Sequence, residues 1–547
     1  MSRLHITFVA LGTEQLGISQ MSALAKRDGH SVGMAFSASL FHDRFNLEFP
    51  SISPFFDDTK NVIDAIKAQK PDVICFSALT STYQWMIDVA RQAKEINPDV
   101  KTIFGGVHPS AVPGLVLARP QVDYVVVGEG DEAFPTILRN IAKQDFSSPI
   151  FNTRFKNPSG NIITGLQKGF MQELDTLPFY DKTIWEEHVR LGDLYLTMAS
   201  RGCPYRCTFC FNNFFAKLPE EKSGKYVRIR SVEHMIGELK IAKKRYKLHK
   251  VDFQDDVFAT SKKWLQEFAE AYKKEINIPY NILTHPRYMD EQVAGWLKES
   301  GCEWVQMGVQ SMDENFKKDS LMRYEKSDHV SKALEVMHKF GLHAKVDHMF
   351  GLPDEPISSQ EIARELYATH HPKRIQTFWT CYLPGTDMMK EAELKGTLSK
   401  EQAAKINEGE DFYFFRNTDN VKDKSLMDTY KAYEVIFRIM PALPEKWKQK
   451  IRVQHINYLP KILIRPMAML SDVVTGFQQS NPEFHAYAMH NLYHLYKFFA
   501  GKIGIKVAPA TKVLDPISFE DFEMSQPPLK IVHTPEGEEN ESLAVGT

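Results

Sequence analysis

Short apolar runs alternate with amphipathic stretches over residues 1–145 of the chain. The runs are rich in β-branched residues, which is typical of buried strands, and the stretches between them repeat apolar positions at helical spacing. This alternation predicts right-handed βαβ units around a parallel sheet, and ligands of such sheets bind at the carboxyl ends of the strands. The strands are predicted at residues 6–11, 32–36, 73–77, 102–104 and 122–127.

A second alternating series covers residues 191–395. Its six βα repeats predict a partial barrel, in which the carboxyl-end face of the strands carries the chemistry. Residues 146–190 lack sustained periodicity, contain Asn157-Pro-Ser-Gly160, and are predicted to be a linker between the two units. The barrel strands are predicted at residues 194–199, 250–254, 280–284, 304–310, 344–351 and 375–383.

The last part of the chain has a different pattern. Residues 396–515 are mostly helical in periodicity and rich in aromatic side chains, which predicts a C-terminal helical cap. Residues 516–547 end in an acidic stretch that is poor in apolar residues, so we expect disorder there.

Composition narrows the class of protein. A chain of 547 residues is too long for one core and fits a multi-domain enzyme. Its 67 Lys and Arg balance 69 Asp and Glu to a formal charge of -2, which gives no reason to expect nucleic acid or an anionic membrane as a partner from global charge. Partners must therefore be inferred from local sites.

Cysteine usage and the apolar segments bear on location. Three of the six cysteines are clustered, which favours a metal site in a reducing compartment over a disulfide framework, and no signal peptide is evident. The apolar stretch 459–477 is interrupted by Pro460, Lys461, Arg465, Pro466 and Asp472, so no transmembrane segment is expected. We predict a cytoplasmic protein and leave peripheral membrane contact around residues 459–470 open.

The segment Arg201-Gly-Cys203-Pro-Tyr-Arg-Cys207-Thr-Phe-Cys210 carries the strongest chemical signal. Three thiolates at CxxxCxxC spacing are one fewer than an iron–sulfur cube or a structural zinc site normally takes, so one metal position would stay open. A zinc site would need a fourth ligand, and the next histidines in sequence, His234 and His249, fall on or beside a helix expected outside the barrel. We therefore favour an iron–sulfur cluster.

This motif at the end of the first barrel strand resembles the radical S-adenosylmethionine superfamily. By that resemblance the three cysteines hold a [4Fe–4S] cluster whose open iron chelates the methionyl group of S-adenosylmethionine, and an electron donor such as flavodoxin or ferredoxin is implied. Phe209 should lie beside the adenine, and Gln254-Asp255-Asp256 should hold the methionyl ammonium. Arg287 is a candidate for the methionyl carboxylate, because a guanidinium matches a carboxylate bidentately. At Gln310-Ser311, where family members often have a carboxylate, Gln310 can bond the ribose hydroxyls.

The N-terminal unit resembles the flavodoxin-like cobalamin-binding domain that precedes the radical barrel in one large class of these enzymes. Its glycine-rich turns follow predicted strands and would let a backbone approach the corrinoid closely. The residues that the resemblance places beside cobalamin in these turns are Ser77, Leu79, Thr80, Gly105, Gly106, Val107, His108, Gly128, Glu129 and Gly130.

The first βα loop departs from that domain's pattern. The DxHxxG signature that supplies a histidine to cobalt is not present, and the loop reads Gly12-Thr-Glu14-Gln-Leu-Gly17. If Gly17 takes the motif's last glycine, Glu14 occupies the place of the histidine. Cobalamin remains expected, whereas the lower cobalt ligand stays unknown.

The resemblance covers about residues 1–395 and implies reductive cleavage of S-adenosylmethionine, with abstraction of hydrogen from an unactivated carbon. Methylation of a small-molecule or lipid-like substrate is the first expectation. A radical cyclase or oxidase, as in the anaerobic magnesium-protoporphyrin monomethyl ester cyclase, is the second. A methylthiotransferase is disfavoured, because residues 1–200 contain only Cys75 where that class has three further cluster cysteines. A non-catalytic corrinoid or iron–sulfur sensor is the alternative from another class.

Overall fold

The computed structural model of the chain describes residues 2–43, 47–49, 51–219, 224–258, 260–410, 424–517 and 519. Its first unit is a seven-stranded sheet in the order β2-β1-β5-β6-β7-β8-β9, and neighbours from β2 to β7 are parallel. The strands of this unit and of a short separate pair are β1 (His5–Leu11), β2 (Ser31–Ser37), β3 (His42–Asp43), β4 (Leu47–Glu48), β5 (Val73–Ser77), β6 (Lys101–Gly105), β7 (Tyr124–Val126), β8 (Thr153–Lys156) and β9 (Ile162–Thr164).

Helices cover both faces of this sheet, which is why its central strands are apolar on both sides. On β5, Val73 and Cys75 belong to one core cluster and Ile74 and Phe76 to the other. The helices are α1 (Leu16–Arg27), α2 (Thr59–Gln69), α3 (Tyr83–Ile96), α4 (Val107–Ala111), α5 (Pro113–Ala118) and α6 (Ala133–Lys143).

The predicted linker 146–190 is partly built into this first unit. β8 pairs antiparallel with β7, and β9 pairs antiparallel with β8. The sheet therefore continues about twenty residues beyond the predicted boundary at residue 145. Alternation is too short in these two strands to distinguish them from a loop in the sequence.

The second unit is the expected partial barrel of six parallel strands in sequential order. A short antiparallel pair, β11 with β12, lies at the end of its first strand and leads into the cysteine segment. The strands are β10 (Tyr195–Thr197), β11 (Ser200–Arg201), β12 (Arg228–Ile229), β13 (Val251–Phe253), β14 (Tyr280–Thr284), β15 (Cys302–Gln310), β16 (His343–Phe350) and β17 (Arg374–Trp379).

Helices surround the barrel and form the C-terminal cap. α16 packs on β17 and on α19, and α20 follows α19 after a short turn. The helices are α7 (Phe211–Phe215), α8 (Val232–Arg245), α9 (Lys262–Glu275), α10 (Glu291–Glu299), α11 (Glu314–Leu321), α12 (Ser327–Lys339), α13 (Ser358–His370), α14 (Asp387–Leu394), α15 (Lys400–Asn407), α16 (Lys424–Ile439), α17 (Glu445–Lys448), α18 (Val453–Asn457), α19 (Lys461–Gln478) and α20 (Pro482–Lys502).

The start of the predicted disordered tail is packed against the barrel. The carbonyl of Ile517 accepts a hydrogen bond of 2.7 Å from Arg245, and Phe519 is buried beside Tyr246. Residues 520–547, to which the rest of that prediction applies, lie outside the described residues. Among the residues that are described, no helix has both the length and the apolar character needed to cross a membrane.

Candidate functional site

The cysteine loop begins directly after β11. Gly202 has a φ of 87°, and a Cβ there would lie 2.2 Å from the carbonyl oxygen of Tyr226, so only glycine fits. The amide of Cys210 donates to the carbonyl of Cys207 at 3.1 Å, which closes a turn. Cys210 then caps α7, because its sulfur accepts from the amide of Asn212 at 3.4 Å. β11 and α7 thus fix the two ends of the loop.

The three thiols are partly or fully buried. Burial raises the pKa of Cys203 to about 12 and that of Cys210 to about 11, and it also raises the pKa of Cys207. Arg323 opposes this at Cys207, since its guanidinium lies 4.0 Å from the sulfur. Metal ligation requires thiolates, so a bound cation must supply the missing stabilisation.

A single metal ion at the cysteine loop would need several ligand side chains close together. Within the described ranges, no group of three or more His, Cys, Asp or Glu side chains is placed to hold a metal ion. The iron–sulfur cluster at the three cysteines stays a prediction from the sequence motif.

The predicted ammonium site at the end of β13 contains two different carboxylates. Asp255 is fully buried and accepts from the amides of Ala199 and Ser200 at 3.0 and 2.5 Å, so it holds the chain that leads into the cysteine loop. Asp256 lies beside the cysteines and accepts from the side chain of Asn212 at 2.8 Å. Gln254 donates to Asp252. Of the three residues, Asp256 is the one that lies beside the cysteines, and its contact with the methionyl ammonium stays a prediction.

Asn212 was not anticipated from sequence, yet it joins three parts of the site. Its amide nitrogens face the sulfur of Cys210, its side-chain nitrogen reaches Asp256, and its side-chain oxygen accepts from the hydroxyl of Tyr226 at 2.6 Å. Tyr226 comes from the segment before β12, fourteen residues farther along the chain. Only folding brings these groups together.

The other predicted S-adenosylmethionine residues occupy separate positions around the barrel rim. Phe209 packs on the apolar cluster that includes Leu321 and Tyr382. Gln310 ends β15 at a register shift with a φ of 65°, and Ser311 is buried and donates to Glu355 at 2.5 Å. Arg287 is exposed on a 3-10 turn. Its charge acts on Tyr205 of the cysteine segment, where it opposes the burial that raises the pKa of that tyrosine. The role of Arg287 stays a prediction.

A buried network of charged residues, which the sequence did not indicate, contacts the cysteine segment. Arg323 donates to the carbonyl of Gly308 at 2.7 Å and to Glu325 at 2.8 Å. Glu325 is also 3.5 Å from His285, whose ring stacks on Tyr205 within the cysteine segment at 4.0 Å. Burial opposes ionisation of Glu325, but its polar interaction with His285 and the positive charges of Arg323 and Lys317 outweigh burial and lower its pKa, so it remains charged. No local motif marks these residues.

The glycine-rich turns of the first unit line a common cavity. Gly106 has a φ of 98°, and a Cβ there would lie 2.9 Å from the carbonyl oxygen of Ala78, so the close approach of two strand ends requires glycine. The cavity has a volume of about 430 Å³ and is mainly apolar. Its lining includes these predicted cobalamin residues: Gly17, Ser77, Gly105, Gly106, Gly128, Glu129 and Gly130.

The opposite wall of this cavity belongs to the barrel. Arg201 and Gly202, which precede the first cysteine, line it together with Asn212 and Tyr226. One space therefore adjoins both the glycine turns of the first unit and the residues that flank the cysteine motif.

Two ion pairs hold the walls together. Arg201 donates to both carboxylate oxygens of Asp131 at 2.8 and 3.2 Å, and Arg228 donates to both oxygens of Glu129 at 2.9 Å. Neighbouring carboxylates raise the pKa of Arg201 although burial opposes this. Glu129, which was predicted to contact cobalamin, thus also links the first unit to the barrel. The Arg201 pair is bidentate, with two nitrogens facing two oxygens, and therefore fixes orientation as well as distance, whereas a single nitrogen of Arg228 donates to both oxygens of Glu129.

The remaining predicted cobalamin residues do not line the cavity. Glu14 is buried and paired with Lys182, whose ammonium also donates to the carbonyl of Leu196 at 2.5 Å. His108 is buried against Thr80 at 3.2 Å and against the ring of Tyr83, and burial lowers its pKa to about 4. The others are Gly12 at the end of β1, the half-exposed Leu79 and the α4 residue Val107. Glu14 therefore connects the first loop to the barrel in this structure.

Comparison with known proteins identifies both units. The B12 binding domain matches residues 16–138, and the Radical SAM superfamily matches residues 198–366. An uncharacterized methyltransferase of Pyrococcus horikoshii is 29% identical over 337 residues, which are 60% of this chain and 70% of that protein. The anaerobic magnesium-protoporphyrin IX monomethyl ester cyclase of Rubrivivax gelatinosus is 21% identical over 59% of this chain and 58% of that protein.

A solved structure extends the similarity to almost the whole chain. The cobalamin-dependent S-adenosylmethionine radical enzyme OxsB, with aqua-cobalamin and S-adenosylmethionine bound, matches with a TM-score of 0.61 at 13% identity, covering 95% of this chain and 78% of that one. This likeness establishes the fold, including the order of the two units and the helical C-terminus.

Proposed function

Because the chain belongs to the radical S-adenosylmethionine enzymes that carry a cobalamin-binding domain, we propose that it methylates an unactivated carbon of a small-molecule or lipid-like substrate. The observation that carries this proposal is the shared cavity, whose two walls are the glycine turns of the first unit and the residues flanking the cysteine motif. A methyl donor on one wall and a radical source on the other would both reach a substrate held between them.

The chain's residues fit the cofactors of this class, a [4Fe–4S] cluster, S-adenosylmethionine and cobalamin. Three thiols in a rigid loop leave one cluster position for a ligand, and Asp256 beside them suits an ammonium. The apolar cavity at the glycine turns suits the corrinoid, and Gly106 is a position that a Cβ would obstruct. When bound, these groups supply the radical chemistry and the methyl group.

The protein's own part is positioning. Asp255 fixes the backbone before the cysteines, and Asn212 orients Asp256 and Tyr226 toward the same side of the site. The pairs Arg201–Asp131 and Arg228–Glu129 set the separation of the walls. Fixed geometry of this kind lowers the entropic cost of bringing reacting groups together.

The proposal is tested on the full chain after anaerobic reconstitution with iron, sulfide and hydroxocobalamin. On reduction with S-adenosylmethionine we expect 5′-deoxyadenosine, and with substrate also S-adenosylhomocysteine, since one cofactor molecule starts the reaction and a second remethylates cobalt. Cys203→Ala should form neither above background, whereas Cys302→Ala, which alters a buried core thiol, should form both. Equal 5′-deoxyadenosine from the wild type and Cys203→Ala would overturn the catalytic proposal in favour of a non-catalytic binding protein.

A radical cyclisation or oxidation is the second candidate, favoured by the likeness to the monomethyl ester cyclase. It predicts 5′-deoxyadenosine without stoichiometric S-adenosylhomocysteine. The ratio of the two products in one reaction therefore separates the candidates.

A further inference from the structure

Helix α20 exposes a continuous apolar stripe. Met489, Leu492, Tyr496, Phe499 and Ile503 follow at intervals of three and four residues, so they share one face of the helix and its end. Leu492 is 58% exposed, Tyr496 59% and Ile503 73%. The stripe is about 20 Å long, from a rise of about 1.5 Å per residue. Contiguous apolar surface of this extent marks an interaction site.

The helix cannot rotate to bury this stripe, because its other face is fixed. His490 and His494 are buried, and the ring of His494 makes a 2.8 Å contact with the carbonyl of His188. The ring of Phe36 from β2 lies 4.7 Å from that of His188 and 5.4 Å from that of His494. The inner face thus packs on the first unit and on the connection to the barrel, and the stripe remains outside.

The first unit extends the stripe at its carboxyl end. Ile52 and Phe55 are 43% and 57% exposed. The ring of Phe55 lies 5.7 Å from that of Phe498, and the ammonium of Lys502 lies 3.9 Å from the ring of Phe55. We call this set the docking surface; it consists of Met489, Leu492, Tyr496, Phe499 and Ile503 with Ile52 and Phe55.

The preceding helix has the same property. In α19 the inner positions Ile464, Ala468, Ser471 and Thr475 are buried. Its outer face is apolar as well, and at its end Phe477 is exposed and lies 5.2 Å from the ring of Phe484 in α20. The exposed apolar residues of α19 are Ile462, Leu463, Leu470, Val473, Val474 and Phe477.

The charge around these helices differs from that of the whole chain. From Phe484 to Leu514 the sequence has four lysines and no acidic residue, and from Lys446 to Ser471 it has six Lys and Arg and no acidic residue. The chain as a whole has a formal charge of -2. Exposed aromatic side chains accompany the cations, Trp447 and Tyr458 before α19 and Tyr496 in α20.

We propose that the docking surface binds the face of an anionic lipid bilayer, with α20 lying in the interface plane and its lysines toward the headgroups. An apolar helix face beside lysines, with aromatic residues at its edge, matches the properties of interfacial helices. A second copy that opposed α20 to α20 fits less well, because the only acidic residue of that helix, Glu483, is paired with Lys345 of β16.

Vesicle flotation of the reconstituted full-length protein tests this proposal and does not depend on its activity. The vesicles are phosphatidylcholine with or without phosphatidylglycerol. We expect the wild type to float with the anionic vesicles at low salt and to be released at high salt. The double variant Leu492→Glu/Phe499→Glu should lose at least about tenfold in binding, since it removes apolar contact area. Leu394→Glu, at an 89% exposed position on α14, is the matched control and should float like the wild type.

Further measurements separate lipid from other occupants. Lys502→Gln/Lys506→Gln should weaken binding to anionic vesicles severalfold and leave the cluster absorbance unchanged, which verifies folding. Equal flotation of the wild type and the Leu492→Glu/Phe499→Glu variant would overturn the proposal. So would a wild-type dimer in light scattering that this variant dissociates, because the surface would then be occupied by a second copy.

Discussion

The two α/β units share one cavity but contribute different parts of the chain to it. The first unit presents backbone at Gly105, Gly106, Gly128 and Gly130, and its carboxylates in the lining, Glu129 and Asp131, are paired with arginines of the barrel. The barrel presents charged and polar side chains, and its strands bury polar groups such as Asp252, which is only 2% exposed. A large flat ligand needs close backbone approach, whereas small charged groups need directed side chains. If the proposed function holds, this difference predicts that the corrinoid lies against the first unit and the charged group of S-adenosylmethionine against the barrel.

The largest effect is expected from a substitution at Gly106, in the part of the cavity wall that the first unit forms from backbone, and it concerns the binding of cobalamin. Gly106→Ala places a Cβ at a φ of 98° and 2.9 Å from the carbonyl oxygen of Ala78, so the turn must shift or carry strain of about 1–3 kcal/mol. We expect bound cobalamin, measured by absorbance after desalting, to fall at least about tenfold, because strain and obstruction add.

The barrel wall should be unaffected by that change. Cluster absorbance and 5′-deoxyadenosine formation are expected to stay at wild-type levels in Gly106→Ala. Gly114→Ala is the control, since a Cβ there meets nothing within 4 Å. Wild-type cobalamin content in Gly106→Ala would show that the glycine turns are not the corrinoid wall.

A smaller effect, on the ratio of the two products, is expected from weakening the ion pair that joins the two cavity walls. Asp131→Asn removes the charge that pairs bidentately with Arg201. Both cofactors should still bind, but S-adenosylhomocysteine formation should fall about tenfold relative to 5′-deoxyadenosine, because misplacement of reacting groups costs rate. The product ratio in one assay measures this.

The matched control is the neighbouring surface pair. Glu132→Gln disrupts a pair with Lys168 in which both side chains are about half exposed, and such pairs contribute little. It should preserve the product ratio. An unchanged ratio in Asp131→Asn would mean that the ion pair does not set the separation of the walls.

The smallest effect concerns Asp252, a buried carboxyl inside the barrel, and it is measured as a change in the free energy of unfolding. Burial, with the nearby carboxylate of Glu483, raises the pKa of Asp252 to about 7. The folded state therefore keeps a proton on Asp252 that the unfolded chain releases at lower pH. The contribution of this protonated carboxyl to the free energy of unfolding is complete below the ordinary carboxyl pKa and is lost as the pH rises through about 7.

Replacing this carboxyl should remove that loss. The free energy of unfolding of Asp252→Asn is to be compared with that of the wild type at acidic pH and at a pH above about 8. The difference, variant minus wild type, should be about 1–3 kcal/mol more positive at the higher pH, because only the wild type loses stability there. Denaturant unfolding at the two pH values measures it, and Asp319→Asn at an exposed position should follow the wild type. Parallel pH profiles for Asp252→Asn and the wild type would contradict a buried, protonated Asp252.

The sequence by itself determined the two alternating α/β series, their order, the helical C-terminus and the cysteine motif. Apolar periodicity and turn glycines are local properties, so they can be read without coordinates. It also marked Gly106 as a place of close approach. It singled out Cys203, Cys207 and Cys210 as predicted cluster ligands, because their chemistry and spacing lie within one short segment.

Only the tertiary structure decided how the walls of the cavity meet. Asn212 with Tyr226, Arg201 with Asp131 and Glu14 with Lys182 are partners separated by 14, 70 and 168 positions in the chain. It likewise showed that β8 and β9 extend the first sheet and that the α20 stripe faces outward. Such facts depend on which surfaces pack against each other, and that depends on contacts between distant parts of the chain rather than on any local pattern.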